Sequence, residues 1–116
     1  MKKVLVVDDD EDILEVVELI LTRNGFEVQT HPTSQNVPEI VNNYHPNLIL
    51  LDVLLPGKSG TEICRDLKLS HTDLPIILFS AHAIQEKEVN RCNADGFIKK
   101  PFDMKNLIGT IKSHTD

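Results

Sequence analysis

Leu48-Ile49-Leu50-Leu51-Asp52-Val53-Leu54-Leu55-Pro56-Gly57 decides the fold. Leu48 to Leu51 run straight into one carboxylate, and a Pro-Gly turn follows. A continuous apolar run of this kind reads as a strand buried on both faces. Asp52 then stands at the carboxyl end of that strand, where open α/β sheets place their ligand sites. With no Lys or Arg beside it in the sequence, an acid held there needs a cation, a proton or a chemical role.

Further apolar runs recur on both sides of this stretch, with helical patterns between them. Residues 3–8, carrying Val4-Leu5-Val6-Val7, predict a first strand. Glu11 to Asn24 follow as a helix, with Ile13, Val16, Val17, Ile20 and Leu21 at helical spacing. Asp9 or Asp10 can cap it, and Gly25 suits the position after its end. Phe26 to Thr30 alternates as a half-exposed strand at the sheet edge. A second helix starts near Asn36 and Pro38, buries Ile40, Val41 and Tyr44, and stops at His45-Pro46. After the third strand (47–52), Thr61 to Leu69 is helical with Ile63, Cys64 and Leu67 inward. Ile76 to Ser80 is the fourth strand, and Glu86 to Cys92 a short helix, with Asn93 in a left-handed position after it. Gly96 to Lys99 is the fifth strand. The last helix begins at Phe102-Asp103, with Leu107, Ile108 and Ile111 inward. Strands alternating with helices predict a parallel α/β sheet with right-handed crossovers, and residues 1–116 read as a single domain.

The bulk numbers agree. An apolar share of 41% and a charged share of 26% are those of a soluble globular domain. The net charge of −6 and the lack of a basic patch argue against direct contact with nucleic acid or an anionic membrane. No apolar run is long enough to span a bilayer, and the N-terminal run is too short for a signal peptide, so the cytoplasm is the expected location. Cys64 and Cys92 have no closely spaced partner and read as small buried hydrophobes. His31, His45, His71 and His114 show no ligand spacing and read as surface residues.

In a parallel sheet all carboxyl ends face one way. Asp8-Asp9, Asp52, Ser80 and Lys99-Lys100-Pro101, each at a strand end, therefore converge. Crowded carboxylates repel by several kcal/mol at moderate dielectric. A hard divalent cation such as Mg²⁺ relieves that repulsion. One carboxylate is then free to attack a phosphoryl group, while the cation and an ammonium neutralise the charge on its oxygens. Asp10, Glu11 and Asp12 read instead as a solvated, helix-capping run.

These residues, in this order and spacing, resemble the receiver domain of the two-component response regulators over the full chain. The resemblance rests on Asp8-Asp9, Leu50-Leu51-Asp52 with Pro56 and Gly60 downstream, Ser80-Ala81, and Lys100-Pro101-Phe102. It implies a (βα)5 doubly wound sheet, flavodoxin- and CheY-like, in strand order 2-1-3-4-5. It implies that Asp52 accepts the phosphoryl group, and that Asp8, Asp9 and Asp52 hold Mg²⁺ with the backbone carbonyl of Leu54. Lys100 would touch the phosphoryl group, Ser80 and Phe97 would form the switch pair, and the Lys100-Pro101 bond would be cis. Because neighbouring strand residues point to opposite faces, Lys99 would lie on the output surface. The implied partners are a sensor histidine kinase or phosphotransfer protein and a downstream effector. The output surface would be the fourth helix, fifth strand and fifth helix. The domain would be a phosphoacceptor that catalyses at most its own phosphorylation and dephosphorylation.

The chain departs from the family pattern in having Ser80 for the commoner Thr, Phe97 for a frequent Tyr and Asn93 for a usual glycine. The segment between Ser80 and Lys100 is short for the family, which predicts a shortened fourth helix. Leu54 and His82 stand where residues that tune phosphoryl lifetime would lie. Three other functions fit less well. A haloacid-dehalogenase-like phosphatase needs a second acid where Leu54 stands. A flavodoxin-like cofactor binder needs a phosphate loop where this chain has acids. A phosphorylation-independent interaction module would leave the complete set of site residues without a use.

Overall fold

The computed structural model describes residues 1–81 and 86–115. Its strands are β1 (Lys3–Val7), β2 (Glu27–His31), β3 (Leu48–Asp52), β4 (Ile76–Ser80) and β5 (Gly96–Lys99). The helices are α1 (Glu11–Arg23), α2 (Val37–Tyr44), α3 (Gly60–Ser70), α4 (Glu86–Arg91) and α5 (Met104–Thr115). The strands form one sheet in the order β2-β1-β3-β4-β5, every pair parallel. The order reverses between β1 and β3, which opens a crevice at their carboxyl ends.

Strand alternation sorts the core into two layers. Val4, Val6, Leu48, Leu50, Ile77, Phe79 and Ile98 pack with Leu14, Val17 and Leu21 of α1 and Leu107 and Ile111 of α5. Leu5, Val7, Ile49, Leu51, Ile76 and Leu78 pack on the other face with α2, α3 and Cys92. Both layers exclude water from the three inner strands β1, β3 and β4, consistent with their continuous apolar runs. β2 is the half-buried edge strand that its alternation predicts. Cys64 and Cys92 are free and buried, and burial pushes the Cys64 thiol up, as suits inert core residues.

The local punctuation follows from the side chains. Asp10 caps α1, accepting from the backbone N–H of Asp12 at 2.9 Å and of Ile13 at 3.4 Å. Gly25 (φ +89°) and Asn93 (φ +62°) take the left-handed positions expected of them.

Four expectations shift. In α1 the buried residues are Leu14, Val17 and Leu21, Ile13 and Ile20 pack against them at the margin, and Val16 is 49% exposed. Seven of the nine residues from Ile13 to Leu21 are apolar, so the pattern alone leaves the helix phase open and the β1–β3 surface selects it. Asn36 precedes α2 but has φ +63° and caps nothing with its side chain. The buried residues of α2 are Val37 and Val41, with Ile40 and Tyr44 at the margin. His31, His71 and His114 are half-buried, and only His45 is fully on the surface among the four. Element ends otherwise differ by a residue or two, and α4 spans six residues.

Candidate functional site

The crevice at the carboxyl ends of β1 and β3 is filled by acids. Val4, Val6 and Asp8 share one strand parity, as do Leu48, Leu50 and Asp52, so both carboxylates emerge on the α1/α5 side of the sheet. Asp8 is fully buried and Asp52 is 5% exposed. Asp9, on the opposite parity, is exposed at the rim. Parity also separates the two lysines: Lys100 follows Ile98 inward, and Lys99 is exposed. The peptide bond between Lys100 and Pro101 is cis.

Lys100 supplies the site's cation. Its Nζ donates to Asp8 Oδ2 at 2.6 Å and stands 3.6 Å from Asp52 Oδ2. The ammonium lies over the ring of Phe79, 4.4 Å from the centroid, which holds it by a cation–π contact and an apolar floor. The backbone contributes three further bonds. Asp10 N donates to Asp8 Oδ1 at 2.9 Å, and Leu54 N to Asp52 Oδ1 at 3.3 Å. Lys100 N donates to Ser80 O at 2.8 Å, tying the lysine to the end of β4.

One ammonium does not balance this cluster. Burial, first, and the neighbouring Asp8 carboxylate, second, push the Asp52 carboxyl up to about 6, against the opposing pull of Lys100 and the Leu54 N–H. One oxygen from each of Asp8, Asp9 and Asp52 lies within 4.8 Å of the others. Three clustered carboxylate oxygens and a shortage of positive charge are the donor chemistry that a hard divalent cation satisfies.

Ser80 is buried at the end of β4, at the same edge of the sheet. Phe97 is half-buried and packs against the α2–α3 layer, on the far side of the sheet from Asp52. Leu54 exposes half its side chain and engages Asp52 through its backbone. His82 lies outside the described residues. Asp8, Asp52 and Lys100 are therefore in direct contact, Asp9 flanks them, and Ser80 and Phe97 sit one layer out.

Two further residues shape the site, and only one of them has a signal in the sequence. Phe79 reads there only as a core residue of β4. Gly60 is one of the spaced matches, and its reason is steric. A Cβ there would fall 2.0 Å from the carbonyl oxygen of Asp52, while Gly60 N donates to Val53 O at 2.9 Å. Only glycine lets α3 start that close to the end of β3.

Comparison with known proteins agrees with this geometry. Residues 4–112 match the family model of the response regulator receiver domain. The structure is similar to a CheY-like response regulator receiver domain protein from Methanospirillum hungatei JF-1, with TM-score 0.94 and 30% identity, covering 100% of this chain and 94% of that one. It is also similar to response regulator TrrA from Thermotoga maritima, solved in complex with Mg²⁺-BeF, with TM-score 0.91 and 28% identity, covering 98% of this chain and 99% of that one. NtrX from Brucella abortus, solved in complex with ADP, matches 99% of this chain with 27% of its own length, at 32% identity and TM-score 0.89. With the acids, the lysine and the sheet order all in place beneath that match, the chain belongs to the response regulator receiver family, whose members are the phosphoacceptors of two-component signalling.

Proposed function

We propose that Asp52 is the residue that accepts the phosphoryl group, in a Mg²⁺-dependent reaction that this domain itself assists. The observation that carries the reading is the contact of Asp52 with both a buried acid and Lys100 at the switch point of the sheet. A carboxylate oxygen of Asp52 attacks the phosphorus of a phosphohistidine or a small acyl phosphate. A new P–O bond forms as the P–N or P–O bond to the donor breaks, and the leaving group takes the electron pair. The Leu54 N–H keeps Asp52 oriented through one oxygen, leaving the Oδ2 side facing Lys100. Lys100, held over Phe79, can turn from Asp8 toward a phosphoryl oxygen and neutralise its growing charge. Ser80 offers a hydroxyl to another oxygen from β4.

Asp8, Asp9, Asp52 and the backbone carbonyl of Leu54 would hold the Mg²⁺. When bound, the ion supplies charge neutralisation for the acids and for the transferring group. The Mg²⁺-BeF complex of TrrA supports this assignment by analogy.

The product carries about −1.5 to −2 charges where Asp52 had one. In this reading Ser80 moves toward the new group and Phe97 turns into the space it leaves. The surface of α4, β5 and α5 then changes its preference for partners, a local charge change biasing a two-state element. The donor is a sensor histidine kinase or phosphotransfer protein, and the recipient of the signal is an effector domain or protein. Residues 1–116 act as one receiver unit in the cytoplasm. No helix among the described residues is long and apolar enough to cross a membrane, which fits that location.

The test is intact-mass measurement after incubation with acetyl phosphate and Mg²⁺. A single phosphoryl adduct is expected, absent in Asp52→Asn and in EDTA. An adduct that persists in Asp52→Asn moves the acceptor elsewhere, and no adduct with any donor favours a phosphorylation-independent interaction module.

A further inference from the structure

The turn that carries Leu54 is held from outside by a residue of another loop. Ser34, between β2 and α2, donates its hydroxyl to the carbonyl oxygen of Pro56 at 3.0 Å. The same carbonyl accepts from Lys58 N at 3.2 Å. That second bond closes a three-residue γ-turn centred on Gly57, with φ +89°. A γ-turn with positive φ is rare and strained, and glycine adopts it at the least cost. A Cβ added to Gly57 would lie 3.4 Å from Ser34 Oγ, so the two loops touch at this point. A strained turn persists only where its surroundings over-determine it.

The bracing loop is itself anchored beside the site. Its His31 Nε2 bonds to Gln35 O at 2.6 Å, and Gln35 N donates to Thr33 Oγ1 at 3.2 Å. The carbonyl of His31 accepts from Asp8 N at 3.2 Å. A continuous path of hydrogen bonds and short backbone segments therefore runs from Asp8 through His31, Gln35, Ser34 and Pro56 to Leu54. The far end of the Leu54 turn is closed separately by Gly60 N on Val53 O at 2.9 Å.

We propose that Ser34 is a positioning residue for cation binding. Through Pro56 it fixes the backbone of the Leu54 turn relative to Asp8, and so sets the spacing between the ligands that follow β1 and the ligand that follows β3. The inference rests on the reading above in which Leu54 and Asp8 share one Mg²⁺. Without the Ser34 hydroxyl the γ-turn is free to relax, and the ligand set is left to assemble when the ion binds.

The experiment is calorimetric titration of Mg²⁺ into the wild-type chain, Ser34→Ala and Ser34→Thr, with thermal midpoints measured in EDTA and in saturating Mg²⁺. Ser34→Ala is expected to raise the Mg²⁺ Kd about three- to tenfold, the scale of one hydrogen bond. It should lower the midpoint more in Mg²⁺ than in EDTA, and Ser34→Thr should restore both. A serine that merely stabilises the loop would lower both midpoints equally and leave Kd within about twofold, which overturns the proposal. A loss in Ser34→Ala that Ser34→Thr fails to restore also overturns it, because the hydroxyl is then not the cause. Failure of the wild-type chain to bind Mg²⁺ is a separate result: it removes the metal reading, and this inference with it.

Discussion

Two lysine–aspartate pairs sit at opposite edges of the same sheet. At the amino edge, Lys68 Nζ of α3 meets Asp95 Oδ2 at 2.6 Å, and the same oxygen accepts from Ile76 N at 2.8 Å. At the carboxyl edge, Lys100 Nζ meets Asp8 Oδ2 at 2.6 Å with Asp52 3.6 Å away. The first pair is balanced: one ammonium, one carboxylate and a backbone donor tie α3 to the starts of β4 and β5. Among the described residues the second is short of cation, with a single lysine serving two buried acids beside the exposed Asp9. A balanced pair serves the fold, whereas an unbalanced one stores unfavourable electrostatics that a ligand can relieve. The residue types and the closest distances are the same at both edges, so stoichiometry and the deeper burial of Asp8 separate the two.

The largest effect that could break this comparison is at Asp8. Asp8→Asn should weaken Mg²⁺ binding more than about tenfold, since losing even groups that only orient metal ligands costs that much. Titration calorimetry checks it, and an unchanged Kd would mean that the carboxyl edge is not short of cation in the way described. Asp95→Asn is the converse. It leaves the buried Lys68 without a counter-ion and should cost about 2–3 kcal/mol, below the ~3–5 kcal/mol of a fully buried pair because Asp95 is partly exposed. Its signature is a lower thermal midpoint with Mg²⁺ affinity unchanged.

Asp52→Asn in EDTA should stabilise the fold. The Asp52 carboxyl stands at about 6 in the folded protein and at the model-peptide value of 3.8 when unfolded. Below pH 4 both states are protonated and the group costs nothing. As pH rises from 4 through 6 the unfolded chain ionises first, so stability falls, and above 6 the cost is fully present. The variant should therefore gain about 1–3 kcal/mol at pH 8 and nothing below pH 4. Chemical denaturation across that range measures it, and a gain independent of pH would assign it to packing. The smallest effect belongs to Lys100→Met. Removing an ammonium that competes for Asp8 should tighten Mg²⁺ binding a few-fold, even as phosphorylation at Asp52 slows. Weaker Mg²⁺ binding would show that Lys100 helps to assemble the ligands instead.

The carboxyl edge was legible in the sequence because its residues end strands. An apolar run that stops at Asp52, another that stops at Asp8, and a Lys-Pro after a third announce themselves by abrupt polarity. Alternation then means that Lys99 and Lys100 face opposite ways, and the resemblance selects the one before proline. The amino edge gave no such signal. Lys68 lies in a helix and Asp95 in a turn, and nothing local links them. Ser34 and Pro56 were silent for the same reason, being contacts between two loops remote in sequence. The phase of α1 is ambiguous at Val16 because apolar residues surround most of that helix, and only the strands beneath it choose a face.

The order of elements, the parallel sheet and the identity of the acids and lysine follow from local pattern, because buried strands must be apolar and their ends need not be. The balance of charge at each edge, the seating of Lys100 over Phe79 and the bracing of the Leu54 turn come from packing. Those depend on distances between side chains brought together by packing, and such distances leave no trace in the local pattern of any one segment.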